Sequence, residues 1–215
     1  MEALSRITEA SLDQLRAAVG KRITGKRFLH TLGVEKEIAK LGEVYLPKDI
    51  LRLRAAALLH DITKEKNTDE QIALCRSFSI PLQASDLLSP KILHAWTAAA
   101  VISREFPAFA DPDVLDAIKK HTTGASQMSL FAKLLYLADY IEETRTFPDC
   151  VALRQAFWEP LSQLSRDRYI PHLNQILLRS FNLTISSLLE EDGVVSPATV
   201  EARNALIEEI NTHNS

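Results

Sequence analysis

The sequence predicts an all-α fold, and three observations support this prediction. Only six of the 215 residues are glycine, and alanine and leucine are abundant, which favours helix. Apolar residues recur at three- and four-residue spacing between side chains of the kind that cap helices. No segment of five or more residues shows the convincing apolar–polar alternation of a strand. One helical domain over residues 1–215 is therefore the simplest architecture.

Four helices are predicted in the first 80 residues. Each is an apolar stripe preceded by a capping side chain or by a proline, which are residues typical of the first helical turn. The first predicted helix begins at a cap at Ser11 and ends at Thr24-Gly25. The second covers residues 26–41, and the third covers residues 50–60 after Pro47. The fourth covers residues 68–78 and begins with a Thr68–Gln71 capping box.

The second half of the chain repeats this pattern with more prolines. Helices are predicted from Ser89-Pro90 to 106, from Asp111-Pro112 to 121, over 129–143, in short segments near Pro148, Pro160 and Pro171, over 172–190, and from Ser196-Pro197 onwards. Thr122-Thr123-Gly124 is a predicted helix stop. The apolar C-terminal helices either complete the monomer or form the face of a homodimer.

Composition argues against several classes of partner. The net charge is −3, so no strong basic excess indicates nucleic-acid binding. Cys75 and Cys150 form no CxxC motif, which favours a reducing compartment. The first fifteen residues lack the apolar segment of a signal peptide, and no apolar run is long enough to cross a bilayer. We therefore expect a cytoplasmic protein with neither a nucleic-acid nor a membrane partner.

Four of the six histidines lie in apolar helical contexts, where an unpaired polar side chain is costly. Two aspartates share this setting. A single His-Asp pair is weak evidence, and a lone core histidine is more often hydrogen-bonded than ligating. The full set, spread over several helices, instead predicts one shared metal site. This six-residue set consists of His30, His60, Asp61, His94, His121 and Asp139.

The ligand types in the six-residue set limit the choice of metal and the choice of reaction. Imidazole and carboxylate ligands without thiolate suit iron, manganese or zinc. Six ligands are too many for one tetrahedral zinc and suit two divalent ions, with Asp61 able to bridge them. Such a pair binds a phosphoryl oxygen and lowers the pKa of a bridging water. Hydrolysis of a phosphate ester or anhydride is the predicted reaction class.

Two cations follow members of the set in the sequence. Lys64 comes three residues after Asp61 and lies on the same face if the helix continues, which suits contact with a substrate phosphate. Arg145 comes shortly after the helix of Asp139 and is a second candidate. The alternatives are ordinary ion pairs, Lys64 with Glu65 and Arg145 with Glu142 or Glu143. His121 could also be a helix C-cap, and His172 and His213 are expected to be surface or capping residues.

Several stretches of the chain resemble one known family. They are RFLHTLGV, AALLHDITKE, KILHAWTAA, AIKKHTTG, LLYLADYIEETR and SPATVEARN. They are similar to the HD-domain superfamily, and within it to the YqeK-type bacterial phosphohydrolases. The resemblance implies an HD core over about residues 26–145, a C-terminal helical layer over about 150–213, and a di-iron-type centre. It also implies symmetrical cleavage of diadenosine tetraphosphate into two molecules of ADP.

The resemblance assigns roles by position. Four members of the six-residue set match the general HD metal ligands, and His94 and His121 match the ligands of the second metal. Asp61 and Lys64, the latter in the HDxxK pattern, are the expected catalytic residues. The family also has segments that border the substrate. The residues of this chain at the matching positions are Lys64, Thr122, Gly124 and Arg145. The chain departs from the family pattern at Ala95-Trp96 and at Glu143-Thr144.

Two other functions remain open at this point. One is a different HD phosphohydrolase, such as a nucleotidase acting on nucleoside monophosphates. The other is a non-catalytic, nucleotide-sensing helical module whose metals are structural. The purine pocket is not evident from the sequence, although Trp96 and Phe147 are candidates for stacking on a base.

Overall fold

The described part of the chain is built from helices joined by short connections. The computed structural model describes residues 7–212, which contain eleven α-helices and no strand. The predicted all-α fold is therefore confirmed; His213 lies outside the described residues. The helices are α1 (Glu9–Gly20), α2 (Gly25–Tyr45), α3 (Ile50–Leu59), α4 (Thr68–Ser77), α5 (Ala84–Leu88), α6 (Leu93–Glu105), α7 (Pro112–Lys120), α8 (Leu130–Ile141), α9 (Pro148–Leu161), α10 (Tyr169–Glu190) and α11 (Pro197–Thr212).

The cap predicted for the first helix is wrong by three residues. Thr8, not Ser11, is the N-cap of α1, and Ser11 is its partner in a reciprocal capping box. The amide of Ser11 donates to Oγ1 of Thr8 at 3.2 Å, while the amide of Thr8 donates to Oγ of Ser11 at 2.9 Å. Serine satisfies here the return bond that glutamate or glutamine usually makes, so the pattern was not recognised in the sequence.

The capping box predicted for α4 is displaced by one residue. Asn67 is the N-cap and exchanges hydrogen bonds with Glu70, at 2.8 and 3.0 Å. Gln71, predicted to complete a box with Thr68, is buried instead, and its side-chain amide donates to the carbonyl of Thr63 at 2.6 Å. Asparagine leads the N-cap preferences, which explains why the box forms one residue earlier.

Several other predicted limits are wrong: α2 continues to Tyr45 rather than ending at residue 41, and Pro160 and Pro171 lie within α9 and α10 rather than in separate short segments. Asp111 and Ser129 cap α7 and α8 as predicted. Pro90 opens a short 3₁₀ helix, Pro90–Ile92, before α6 begins, and α5 was not predicted. A 3₁₀ turn is common at a helix N-terminus, because its i→i+3 bonds tighten the first turn.

A connected apolar core joins the first helix to the last. Leu12 of α1, Leu41 of α2, Ile118 of α7, Leu134 of α8 and Leu206 of α11 are almost fully buried in the same cluster. Helix α3 packs against α2, α7 and α8, and α8 also packs against α2 and α7, so the ends of α3, α7 and α8 come together near α2. No helix among residues 7–212 is long and apolar enough to cross a membrane.

Glycine allows close packing at two points of this core. A Cβ on Gly42 of α2 would lie 3.0 Å from Cδ1 of Leu53 on α3. Gly124 follows α7 with a φ of 68°, and a Cβ there would lie 2.6 Å from Cζ of Phe181 and 2.8 Å from Cβ of Ala202. Gly124 is thus the point where the chain after α7 meets α10 and α11.

Candidate metal centre

The residues of the predicted metal site come from five helices that meet in the core. His60 and His121 come directly after a helix, Asp61 follows His60, and His94 lies in the first turn of a helix. These four residues are buried, and His30 and Asp139 are partly buried. The helices or helix ends that supply the set are α2 for His30, α3 for His60 and Asp61, α6 for His94, α7 for His121 and α8 for Asp139.

Two groups of candidate metal ligands share His60. One group is His30, His60 and Asp139, and the other is His60, Asp61 and His121; within each group one ligand atom per residue lies within 4.8 Å of the others. His94 belongs beside the second group, because its Nε2 lies 3.0 Å from Nε2 of His121. The structure therefore brings all six members of the predicted set together.

The two oxygens of Asp61 face different halves of this cluster. Oδ1 lies 3.2 Å from Nε2 of His94 and 3.6 Å from Nε2 of His121. Oδ2 lies 3.5 Å from Nε2 of His60 and 3.7 Å from Nε2 of His30. A carboxylate in this position has the geometry to bridge two ions, one on each side.

The ring nitrogens that face the cluster fit a metal. Nδ1 of His60, His94 and His121 bonds to the carbonyl of the residue three positions earlier, at 2.6, 2.7 and 2.7 Å, so Nε2 is the nitrogen left for a ligand. The Nε2 atoms of His30 and His60 are buried without a hydrogen-bond partner among the described residues. Because buried polar atoms are rarely left unsatisfied, these nitrogens point to a divalent cation as the missing partner.

Electrostatics favour the metal-binding protonation states of His60, His94, Asp61 and Asp139, and His30 is an exception. Burial lowers the pKa of His60 and of His94 to about 4, so both rings are neutral near pH 7. Burial alone would raise the pKa of Asp61 and of Asp139, but the basic groups around them hold both values well below the usual range. For His30, burial is outweighed by the nearby carboxylates of Asp139 and Glu142, which raise its pKa to about 9, so the ring must lose a proton before it binds a metal near pH 7.

Two charged residues at the site were missed in the sequence. The guanidinium of Arg27 donates to Oδ2 of Asp61 at 2.8 Å, and Oε1 of Glu142 lies 3.1 Å from Nδ1 of His30. Arg27 precedes His30 by one helical turn, and that i, i+3 spacing was an available signal. From the sequence, Glu142 is predicted only as a possible partner of Arg145, and the structure places it at His30 instead.

Lys64 lies at the cluster, although α3 does not extend to it. The chain after α3 continues in turns, including a bond from the amide of Lys64 to the carbonyl of Asp61 at 2.9 Å. The Lys64 Nζ lies 3.3 Å from both ring nitrogens of His94, and burial lowers the pKa of the amine. Glu65 is bonded to Thr24 rather than to Lys64. The phosphate-binding role of Lys64 stays a prediction.

Arg145 also reaches the cluster. Its Nη2 donates to Oδ1 of Asp139 at 2.7 Å and its Nε to the Asp139 carbonyl at 2.5 Å. The alternative pairing with an adjacent glutamate is not the one observed: Glu143 pairs with Lys36, and Glu142 faces His30. Arg145 thus places positive charge beside a predicted ligand.

The remaining predicted substrate residues lie in different places. Oγ1 of Thr122 is 3.1 Å from Nε2 of both His94 and His121. Gly124 packs against Phe181 and Ala202, which is a sufficient reason for glycine, and its role toward substrate stays a prediction.

The two stacking candidates lie apart from each other. Trp96 lines a cavity of about 710 Å³ between α6, the chain after α4 and the start of α11. Phe147 is 68% exposed at the start of α9. His172 lies outside the cluster and bonds to the carbonyl of Phe157 at 2.9 Å.

The helical fold and the histidine–aspartate cluster are those expected of an HD domain, and comparison with known proteins agrees. Residues 27–144 match the HD domain family, and the chain belongs to that family. The resemblance noted in the sequence, and the predicted HD-domain helical fold with a C-terminal helical extension, are confirmed.

Individual relatives align over almost the whole chain. The symmetrical bis(5'-nucleosyl)-tetraphosphatase of Bacillus subtilis is 31% identical over 195 residues, covering 91% of this chain and 97% of the relative. The protein of the same name from Halalkalibacterium halodurans is 34% identical, covering 88% and 93%. The crystal structure of a predicted HD superfamily hydrolase involved in NAD metabolism from Clostridium acetobutylicum superposes with a TM-score of 0.79 at 32% identity, covering 92% and 97%.

Proposed function

We propose that this chain is a metal-dependent phosphoric anhydride hydrolase that cleaves diadenosine tetraphosphate symmetrically into two molecules of ADP. Relatives that carry the name of this activity align with about nine tenths of the chain. The observation that carries the proposal is the buried cluster in which Asp61 faces ligand groups on both sides. Two cationic side chains beside that cluster suit an anionic substrate.

The proposed cofactor is a pair of divalent ions, with iron preferred and manganese and zinc as alternatives. Two overlapping ligand groups of imidazoles and carboxylates support a pair rather than one ion. When bound, such a pair polarises a phosphoryl oxygen and lowers the pKa of a water molecule. The number of ions and their identity belong to the proposal.

The chain's own residues would bind and orient the substrate. Lys64 beside His94, and Arg145 beside Asp139, stand on opposite sides of the cluster and would hold phosphate oxygens of the bound dinucleotide. Asp61, which faces both ligand groups, would hold them in a fixed position relative to each other. Symmetrical cleavage breaks one bond between phosphorus and the central bridging oxygen. The water oxygen then remains on one ADP and the bridging oxygen on the other.

A substrate panel tests this proposal. Freshly purified, oxygen-protected protein is assayed with diadenosine tetraphosphate, ATP and AMP, and the products are separated chromatographically. The expected result is ADP as the sole nucleotide product of the tetraphosphate. Release of phosphate from AMP with no turnover of the tetraphosphate would favour the nucleotidase alternative. Metal binding without any turnover would favour the sensing module.

We also propose that the chain folds as one domain and works in the cytoplasm. The core cluster that joins Leu12 to Leu206 supports a single domain with a C-terminal helical layer. Cys75 and Cys150 are free thiols, as a reducing compartment would leave them. A small nucleotide substrate fits the same location.

A further inference from the structure

Three of the four ligand histidines are anchored in the same way, and His30 is not. The rings of His60, His94 and His121 each bond through Nδ1 to a backbone carbonyl three residues earlier. Nδ1 of His30 instead faces a carboxylate, Oε1 of Glu142, at 3.1 Å. A carboxylate on the far nitrogen of a ligand histidine fixes the ring and makes the ligating nitrogen more basic.

The carboxylate of Glu142 is held firmly in this position. Its side chain has no exposed surface, and Thr144 donates to it twice, from the amide to Oε2 and from the hydroxyl to Oε1, each at 2.6 Å. Arg154 fixes the surrounding backbone by donating to the carbonyls of Ile141, Glu142 and Arg145, at 2.5, 2.5 and 2.8 Å. The loop after α8 is therefore built around one buried carboxylate.

Helix α2 leaves space for this carboxylate at Gly33. A Cβ on Gly33 would lie only 2.1 Å from Oε2 of Glu142. Gly33 comes three residues after His30 and lies on the same face of α2. Glycine within a helix is unfavourable unless a close approach requires it, and here the approaching group is the carboxylate that faces His30.

We propose that Glu142 is a positioning residue for His30. Binding of the ion on the His30 side of the cluster then depends on Glu142, whereas binding of the ion beside His94 and His121 does not. His30 is the ligand histidine oriented by a charged group, so the ion that it binds depends on Glu142. The ion on the other side depends on backbone carbonyls and does not. This inference rests on the proposed pair of ions but not on the proposed substrate.

The test is a titration of the metal-free full-length protein with Mn²⁺, with bound and free ion measured separately. Glu142→Gln removes the charge and keeps the shape, and Gly33→Ala displaces the carboxylate without changing any charge. In both variants one ion is expected to bind about 10–100-fold more weakly while the other binds as in the wild type. The matched control is Glu143→Gln, whose side chain is 51% exposed and pairs with Lys36, and it should match the wild type.

Each other outcome is decisive. Wild-type binding of both ions in Glu142→Gln and Gly33→Ala would overturn the inference, and so would equal weakening of both ions in a variant whose metal-free thermal unfolding is unchanged. If Glu142→Gln does not fold, Gly33→Ala decides alone. A wild-type protein that binds no Mn²⁺ while Zn²⁺ and Fe²⁺ also fail to bind would instead overturn the proposed metal centre itself.

Discussion

The Nε2 atoms of His94 and His121 lie 3.0 Å apart, and each ring bonds to a backbone carbonyl through its other nitrogen. Both facing nitrogens therefore present a lone pair when the rings are neutral. Two lone pairs at this distance repel each other unless a cation or a donor lies between them. The hydroxyl of Thr122, 3.1 Å from both, can donate to only one of them, and Nζ of Lys64 lies 3.3 Å from Nε2 of His94. Neutral rings in this arrangement offer two nitrogens to a single cation, as the proposed metal site requires.

Loss of His121 should remove one ion and not the other. In His121→Ala, metal analysis of the purified protein is expected to show about one ion fewer per chain, because the His30 side keeps its ligands. Turnover should fall with it. His172→Ala is the control, since His172 bonds to a carbonyl outside the cluster. A His121→Ala protein with the wild-type metal content would contradict this assignment.

Lys64 should affect turnover without affecting metal content. Lys64→Ala removes a cation next to His94, and kcat is expected to fall by about 10²–10³-fold, a typical loss for one group that stabilises transition-state charge. Steady-state kinetics and metal analysis on the same preparation measure both quantities. Lys66→Ala removes a more exposed lysine near Glu70 and should behave as the wild type. Equal kcat in the two variants would exclude Lys64 from the reaction.

Gly124 should matter for stability. Gly124→Ala combines a left-handed backbone with a Cβ 2.6 Å from the ring of Phe181, so the free energy of unfolding should fall by about 2–5 kcal/mol. Gly25→Ala is the matched control, because no atom lies within 4 Å of its added Cβ. Urea unfolding of the metal-free proteins gives both values. A fully stable Gly124→Ala variant would mean that the contact with α10 relaxes freely.

Chelation should stop the reaction and leave the fold. The core is large and connected, so the metal-free protein is expected to keep its helical circular dichroism, with a lower unfolding temperature than the loaded protein because bound ions stabilise the native state. Adding back a divalent ion should restore turnover. Unfolding on chelation would instead support the alternative of structural metals.

The sequence identifies candidate site residues where a polar residue type occurs within an apolar helix. The six-residue set could be recognised because histidine and aspartate are costly in apolar helices, and the structure brings all six together. Arg27 and Glu142 could not be recognised in this way, because single charges on a helix or in a turn are ordinary in a soluble protein. Their contacts depend on tertiary packing: Arg27 of α2 reaches Asp61 after α3, and Glu142 after α8 reaches His30 of α2.

Local sequence patterns predict the presence of a helix more reliably than the residues at which the helix begins and ends. The caps at Asp111 and Ser129 were correct, whereas Thr8 and Asn67 replaced the predicted caps because neighbouring residues offered equivalent hydrogen bonds. Gly124 was predicted to border substrate, and its contact with Phe181 shows a packing requirement that depends on helices more than fifty residues later in the chain.

The most direct test of the central claim compares the wild type with Asp61→Asn, which keeps the shape of the side chain that faces both ligand groups. Metal content and turnover of diadenosine tetraphosphate are measured on the same oxygen-protected preparations. For the wild type we predict about two ions per chain and ADP as the nucleotide product. For Asp61→Asn we predict loss of bound metal and loss of turnover. A wild type with neither metal nor turnover, or an Asp61→Asn variant equal to it in both, would contradict the claim.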